Sequence, residues 1–492
     1  MLNIAKNITI GAGVIVIAGA SAYFIAKPML VEKCEPVLQE NIKKYINGTI
    51  TWDKFDLDAA GNLKFHNVQI KDNENQDVLK SPDLNVGWSF SSAYKAFVKG
   101  EGLTALIDNI TIDKPEITVR EKNDKSWNIQ NLIITDKEKK KSNFDMNIKV
   151  IDGNVSIKQQ NKQTQNLKNI NSVIKLKNDF ELKGKLSSIY ENSNVDLAWN
   201  YLNFNDIELT FGSGKLPLVK ILDTLRENGI KIPYLPVTDG IATIKAGHIT
   251  KKNNEWSYSI KGNVEKVFAK YKEFTISETS ANVDITNGNA FFENINGKIN
   301  NQSVFGYFKI NWNGKESEIQ SKFSTNGAEL YSLAPSLGMH GKLQGDIQIG
   351  GSLNNIFATG HVNINNLNNE TFNIKEVKTD FNFNDDIVNL TSLNLKTKDG
   401  KAHGQALYNL RTKEFGTDID LNSIKLQDVI LSLPIEGTIS GNIKAEGTYS
   451  EGINLYSVKI TSTANNFKYE DVLGNKAEVF ATFSDNEWNI KT

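Results

Sequence analysis

The chain has 492 residues, 39% of them hydrophobic, with 35 glycines and a formal net charge of −1. This composition excludes a disordered chain and a bundle of membrane helices, and the near-zero charge removes the electrostatic basis for binding nucleic acid. The single cysteine, Cys34, excludes an intrachain disulfide without fixing a compartment.

From Ile8 to Ala26 the chain runs 19 residues without a charge, through Ile8, Val14, Ile15, Val16, Ile17, Phe24 and Ile25. At about 1.5 Å per residue that run is long enough to cross a bilayer core of roughly 30 Å. Ala20-Ser21-Ala22 would suit a signal peptidase. Tyr23, Phe24 and Ile25 prolong the apolar run past that site, which favours an uncleaved anchor over residues 1–27. Lys27, Lys33, Lys43 and Lys44 follow it, so the positive-inside count does not itself argue for export of the body.

Residues 28–47 read as a helix, with Leu38, Ile42 and Ile46 on one face, Pro36 opening its better-formed part and Asn47-Gly48 as a stop. Thereafter the dominant period is two. Leu63 and Phe65 alternate with polar neighbours, as do Val362 and Ile364, Phe381 and Phe383, and Leu393 and Leu395. Such segments are strands with one apolar and one wet face. Asp152-Gly153, Asn287-Gly288, Asn296-Gly297, Asn313-Gly314 and Asp399-Gly400 are expected as hairpin turns between antiparallel neighbours. Asp136 to Lys141 is a charged, solvated loop.

Residues 330–351 and 426–447 repeat each other at a spacing of 96. Leu330, Leu333, Ala334 and Leu337 form a helical stripe, matched by Leu426, Val429, Ile430 and Leu433. Gly341, Gly345 and Gly351 follow the first stripe in register with Gly437, Gly441 and Gly447 after the second. A weaker copy has Leu218, Ile221, Leu222 and Leu225, then Gly240. Pro335 should keep the second of these helices short or kinked. The body therefore reads as a long antiparallel sheet with a short helix in each repeat, an array of similar units. The helices are expected to cover the sheet's apolar face. Glycine at a fixed phase permits bends, bulges and close backbone approach; the period is compatible both with a bent trough and with a closed sandwich core.

Catalytic signatures are absent. His66, His248, His340, His361 and His403 are isolated, and there is no HExxH, CxxC, GxxxxGK[ST] or GxSxG. The chain reads as a non-enzyme without metal or cofactor, and its seven Trp as packing residues rather than a platform for bases.

The order of motifs in the N-terminal third resembles a known family. Asn67–Asp72 fits N-V-x-I-x-D, Ile112–Val119 fits I-x-x-P-x-I-x-V, and Trp127–Leu132 fits W-N-I-x-x-L. The first lies in an expected strand pair, Lys64–Asp72, that follows the anchor and a helix ending at Ile46-Asn47-Gly48, and a helical stretch near Tyr94-Lys95-Ala96-Phe97 leads on to the other two. This order is similar to the opening of the AsmA-like proteins of bacterial envelopes, the family that includes TamB, and the helix-then-glycine units resemble its middle repeats. The resemblance covers nearly the whole chain through loose motifs whose order carries it. It implies an inner-membrane single-span protein with its body in the periplasm, and a mainly β fold: an elongated curled antiparallel sheet, taco-like in section, with an apolar groove. It implies phospholipids as ligands, and a second possibility, docking to an outer-membrane β-barrel protein of the Omp85 type for protein insertion. A structural repeat protein with a filled core is a third reading.

The expected divisions are 1–27 anchor, 28–135 AsmA-like N-terminal region, 136–325 groove segment with the first helix-glycine unit, 326–421 repeat unit, and 422–492 its incomplete second copy. Parity assigns Ile347, Ile349, Val362, Ile364, Phe381, Phe383, Leu393 and Leu395 to the lipid-facing side. At ~12–14 residues per strand and roughly 4.8 Å per strand, about 30–35 strands would give a groove of ~150 Å. The strand-like Glu487–Ile490 so close to Thr492 suggests either a longer parent chain, the favoured option, or a partner that adds a strand there.

Overall fold

The computed structural model describes residues 47–58, 61–94, 98–99, 107–129, 132, 145–177, 181–203, 206–227, 236–253, 255–314, 316–335, 338–352, 354–370, 372–429, 435–449, 453–469, 472–484 and 487–491, with Glu32, Glu35 and Pro36 before them. The expected anchor, the rest of the 28–47 helix, Lys95-Ala96-Phe97, the Asp136–Lys141 loop, and Leu337, Ile430 and Leu433 lie outside the described residues. Among the described residues no helix is long and apolar enough to cross a membrane. The protein is mainly β, and its chain divides into two compact units: Met1–Leu216 with Glu227–Gly229 and Thr243–Ser259, and Pro217–Arg226 with Ile230–Ala242 and Ile260–Thr492.

The first unit contains β1 (Gly48–Thr51), β2 (Lys54–Leu57), β3 (Leu63–Asp72), β4 (Asp77–Gly87), the helical turn α1 (Phe90–Ala93), β5 (Asn109–Asp113), β6 (Glu116–Arg120), β7 (Asp145–Lys158), β8 (Gln165–Lys177), β9 (Glu181–Tyr190), β10 (Ser193–Asn203) and β11 (Asp206–Ser213), with β12 (Lys215–Pro217) at its border. Lys64–Asp72 is not a strand pair but part of the single strand β3, which continues through Asn67 at φ +52°, so that Phe65 and Val68, of opposite parity, are both buried. β3 pairs with β1 and β2 along one side and with β4 along the other. Phe55, Leu57, Phe65 and Val68 form its buried core, with Phe65 5.2 Å from both Trp52 and Phe55 by ring centroid.

The sheet is mixed rather than purely antiparallel. β5 and β6 follow one another along β7, both parallel to it. Lys114-Pro115 separates them, since Pro has no N–H for the ladder and Lys114 takes φ +45°. Pro115 is fully buried against Gly153, where an added Cβ would come within 2.9 Å of its ring. Asn128, 2% exposed, accepts a hydrogen bond from Arg120 N (2.8 Å) and donates to Thr118 O (2.9 Å), acting as a substitute strand beside β6. Asp72, 3% exposed, accepts from Glu74 N, Gln76 N and the Arg120 guanidinium. The motifs that carry the resemblance thus build the framework of this unit.

Burial raises the Asp72 pKa, but the hydrogen bonds from Gln76, Arg120 and Glu74 outweigh it and the net shift is downward from 3.8. A lowered folded pKa means stabilisation present above the unfolded value and lost as pH falls through the folded one. Asp72→Ala strands three donors and is expected to cost about 1–3 kcal/mol at neutral pH. Chemical denaturation should show that the gap between variant and parent shrinks as pH is lowered below 3.8; a gap independent of pH would rule this role out.

After the helix α2 (Leu218–Glu227), β13 (Val237–Lys252) and β14 (Glu255–Tyr271) contribute residues to both units. The second unit continues with β15 (Phe274–Thr286), β16 (Asn289–Ile299), β17 (Gln302–Asn311), β18 (Glu318–Glu329), the turn α3 (Leu330–Leu333), β19 (His340–Ser352), β20 (Asn355–Asn368), β21 (Asn373–Asn384), β22 (Ile387–Lys396), β23 (Lys401–Asn409), β24 (Glu414–Lys425), the turn α4 (Leu426–Val429), β25 (Ile435–Tyr449), β26 (Ile453–Tyr469), β27 (Val472–Ser484) and β28 (Glu487–Lys491). From β15 to β28 each strand pairs antiparallel with the next.

The period of the sequence is a six-strand unit, β13–β18 and then β19–β24, each followed by a helical turn. The first glycine of the strand after each helix, Gly240, Gly341 and Gly437, has φ of +149°, +154° and +142°, a backbone that side-chain-bearing residues avoid. Three of the expected hairpin dipeptides lie between strands. Asp152-Gly153 and Asn296-Gly297 instead lie inside β7 and β16. There Asp152 occupies a bulge, as do Asn169, Glu278, Asn294 and Ser423, all with φ near +50° and register shifts beside them. Bulges bend and twist a strand, so these residues, and not glycine alone, depart from a regular ladder.

Candidate functional site

Register shows which side chains share a face in the second unit. One row runs Phe292, Phe308, Ser321, Ile349, Ala358, Phe383, Val388, Tyr408, Phe415 across β16 to β24. The next runs Ile295, Gly306, Phe323, Ile347, Gly360, Phe381, Leu390, Ala406, Thr417, Ala445, Val458 across β16 to β26. A third runs Leu343, Ile364, Val377, Leu395, Ala402, Leu421, Gly441, Ser462. None of these positions carries a charge. Glycines stand beside bulky side chains: a Cβ on Gly360 would lie 2.6 Å from the Phe381 ring, and one on Gly306 2.8 Å from that of Phe323.

The opposite face of the same strands carries their charges, with Phe305, Phe357 and Leu407 exposed among them. Lys322 pairs with Asp346 (3.3 Å), His361 Nδ1 with Asp380 (2.8 Å) and Lys444 with Asp418 (2.8 Å). The hydrogen bond from His361 lowers the Asp380 pKa, and the Lys444 ammonium does the same for Asp418. These exposed pairs add little stability, but they show that every charge on these rows has been sorted to one side. All five histidines stand within 4 Å of a carboxylate in this way, on the pairs His66–Asp83, His248–Glu208, His340–Glu329, His361–Asp380 and His403–Asp420.

On the apolar side is a cleft of 390 Å³, lined by Ile299, Val304, Phe323, Leu333, Leu343, Gly345, Ile347, Val362 and Phe381, and by Ser324, Thr325 and Asp346, which turn almost no polar surface into it. It draws on β16 to β21 together with α3. Among the sequence-assigned residues, Ile347, Val362 and Phe381 line it. Ile349 and Phe383 stand half-buried further along the same strands, away from α3. Leu393 is buried (7% exposed) with Leu330 of α3, Leu367 and Val377, and Ile364 and Leu395 pack against that cluster. The helical turn therefore does cover one end of the apolar face, and these three residues belong to its seat. α3 itself is a single turn that closes with Ala334 N donating to Leu330 O before Pro335.

Ile299, Val304, Phe323, Leu333 and Leu343 were not assigned from the sequence. Phe323 and Leu343 share the alternation of their strands and were legible by parity. Leu333 was assigned to packing under a helix, and its second role as a wall of the cleft needs the three-dimensional register.

The first unit carries a comparable row, Val150, Ser172, Leu186, Leu197, Phe211, Gly247, across β7 to β11 and β13. It lines a cleft of 950 Å³ together with Lys149, Lys185, Asp196, Lys245 and His248 from adjacent positions. Trp199 lies over Gly184 there and Phe211 over Gly247, the same aromatic-on-glycine pairing as in the second unit. No group of three or more His, Cys, Asp or Glu able to hold a metal occurs among the described residues. Comparison with protein-family models, with curated proteins and with solved structures gives no match to this chain.

Proposed function

We propose that the chain is an inner-membrane-anchored periplasmic protein whose apolar sheet face forms an elongated curled groove. That groove binds or conducts phospholipids between the inner and outer membranes of a bacterial envelope and so contributes to outer-membrane homeostasis. The observation that supports this most is the set of charge-free rows in register across β16 to β26, on one face of a sheet whose charges all lie on the other. A filled core would bury such rows completely, whereas Ile347, Ile349, Phe381 and Phe383 all keep partial exposure. The motif order similar to the AsmA-like family and the uncharged run Ile8–Ala26 support the envelope setting and the tether. Each acyl methylene held against such a face is worth about 0.8 kcal/mol, and because that gain is uniform along a row, a chain can shift without meeting a deep trap. The role is one of binding and passage, without catalysis.

The test is native mass spectrometry of the full chain extracted in mild detergent, with lipid extraction of the same sample. Several phospholipids per chain are expected. A compact, stable chain free of lipid would reject the groove, and the reading as an assembly factor docking an outer-membrane β-barrel protein would take its place.

A further inference from the structure

The two ends of the strands in the second unit differ. At one end lie the turn Asn300-Asn301, α3, the β20–β21 and β22–β23 connections and α4. That end is filled: Leu330, Leu367, Val377 and Leu393 are buried there, Ala334, Met339 and Phe372 pack on them, and Asn300 donates through Nδ2 to Ser332 O at 2.8 Å. α4 contacts β21 as well as β24 and β25, while α3 contacts β18 and β19.

At the other end lie only hairpins, among them Asn287-Gly288 and Asp385-Asp386. No cluster of buried residues occurs there among the described residues, and the last inward position of β20, Ile356, is 37% exposed. The cleft lies just inside the filled end, walled by Leu333 of α3.

From Leu343 to Gly351 the apolar positions of β19 run for eight residues, about 26 Å at ~3.3 Å each. A lipid tail spans one leaflet, half of a hydrocarbon core of roughly 30 Å. One strand length therefore accommodates a whole tail. Resting on the lipid-binding reading above, we infer that the cleft is a seat for the methyl end of one acyl chain lying along the strands. The tail passes in from the hairpin end, its terminus stops beneath α3, and its polar group stays at the hairpin end. No charged side chain on the three rows would draw a headgroup inward, and at the filled end the buried Leu330, Leu367, Val377 and Leu393 stand across the strands.

Two diazirine-bearing fatty acids test this on the full chain, one labelled at the methyl end and one next to the carboxylate. With crosslinks placed to the residue by fragmentation, the methyl-end probe is expected to attach around Leu333, Leu343 and Val362. The carboxylate-side probe should attach around Ile319, Ile356 and Val388. Val362→Trp, which fills the cleft, should abolish the first pattern and leave labelling near the hairpins. The same residues labelled by both probes would show a chain lying across the strands and overturn the seat while leaving lipid binding intact. Failure of either probe to bind would remove the lipid reading itself, and the seat with it.

Discussion

Phe381→Asp is expected to strip lipid from the protein while leaving the sheet folded. Phe381 lines the cleft and lies over Gly360, but it is only half-buried, so its loss forfeits part of the roughly 1.5–3 kcal/mol of a fully buried Phe. The new carboxylate points into a cleft whose wall turns almost no polar surface to it. Holding an acyl chain beside it would require desolvating an unpaired charge, which costs several kcal/mol and exceeds the gain from a few methylenes. Circular dichroism should therefore remain that of the parent while co-purified phospholipid falls to background. Leu393→Asp makes the contrast, because Leu393 is 7% exposed in the seat of α3 and a charge there should unfold that end of the sheet. Asn382→Asp, on the polar face between the same strands, should do neither. Lipid retained at parental levels by a folded Phe381→Asp protein would show that the cleft is not where lipid is held.

The alternation of Val362 with Ile364 and of Phe381 with Phe383 was enough to assign their shared face, because a period of two leaves only one choice per strand. The six-strand period was legible as a spacing of 96 residues, without the strand count inside it. The bulges were not legible. Leu390 and Leu393 have opposite parity in sequence, yet a register shift between them puts both on the apolar face, opposite Ala406 and Gly404. Asn294 and Asn366 adopt left-handed backbone within β16 and β20, and in a chain this rich in Asn such positions look like any other polar strand residue. The parallel strands β5 and β6 escaped for another reason: Ile110 to Val119 reads as one segment, although the parity of its apolar residues changes between Ile112 and Ile117 across Lys114-Pro115, where two strands are laid end to end along β7. The cleft itself depends on Leu333 meeting Ile347 and Val362, a contact between a helical stripe and two strands that no local pattern encodes.

Gly441→Ala is expected to be among the most destabilising substitutions that add only one carbon. Gly441 has φ +148°, and a Cβ there would sit 2.1 Å from Thr461 O and 2.5 Å from the Cα of Ser462, both backbone atoms of the neighbouring strand. Neither can swing aside as a flexible side chain could. The unfavourable backbone costs about 1–2 kcal/mol, and the overlap adds the ~1–3 kcal/mol of an overpacked site. Gly345→Ala and Gly404→Ala should be affected through overlap alone, with added Cβ atoms 2.2 Å from His361 O and 2.1 Å from Asp418 O. Gly214→Ala, whose nearest neighbour would be 3.7 Å away, is the control with room to spare. Thermal unfolding should rank Gly441 above Gly345 and Gly404, with Gly214 close to the parent. That order follows only if the glycines serve close approach between strands. A flat ranking would mean that the strands separate freely at these positions and that the glycines do not serve close approach.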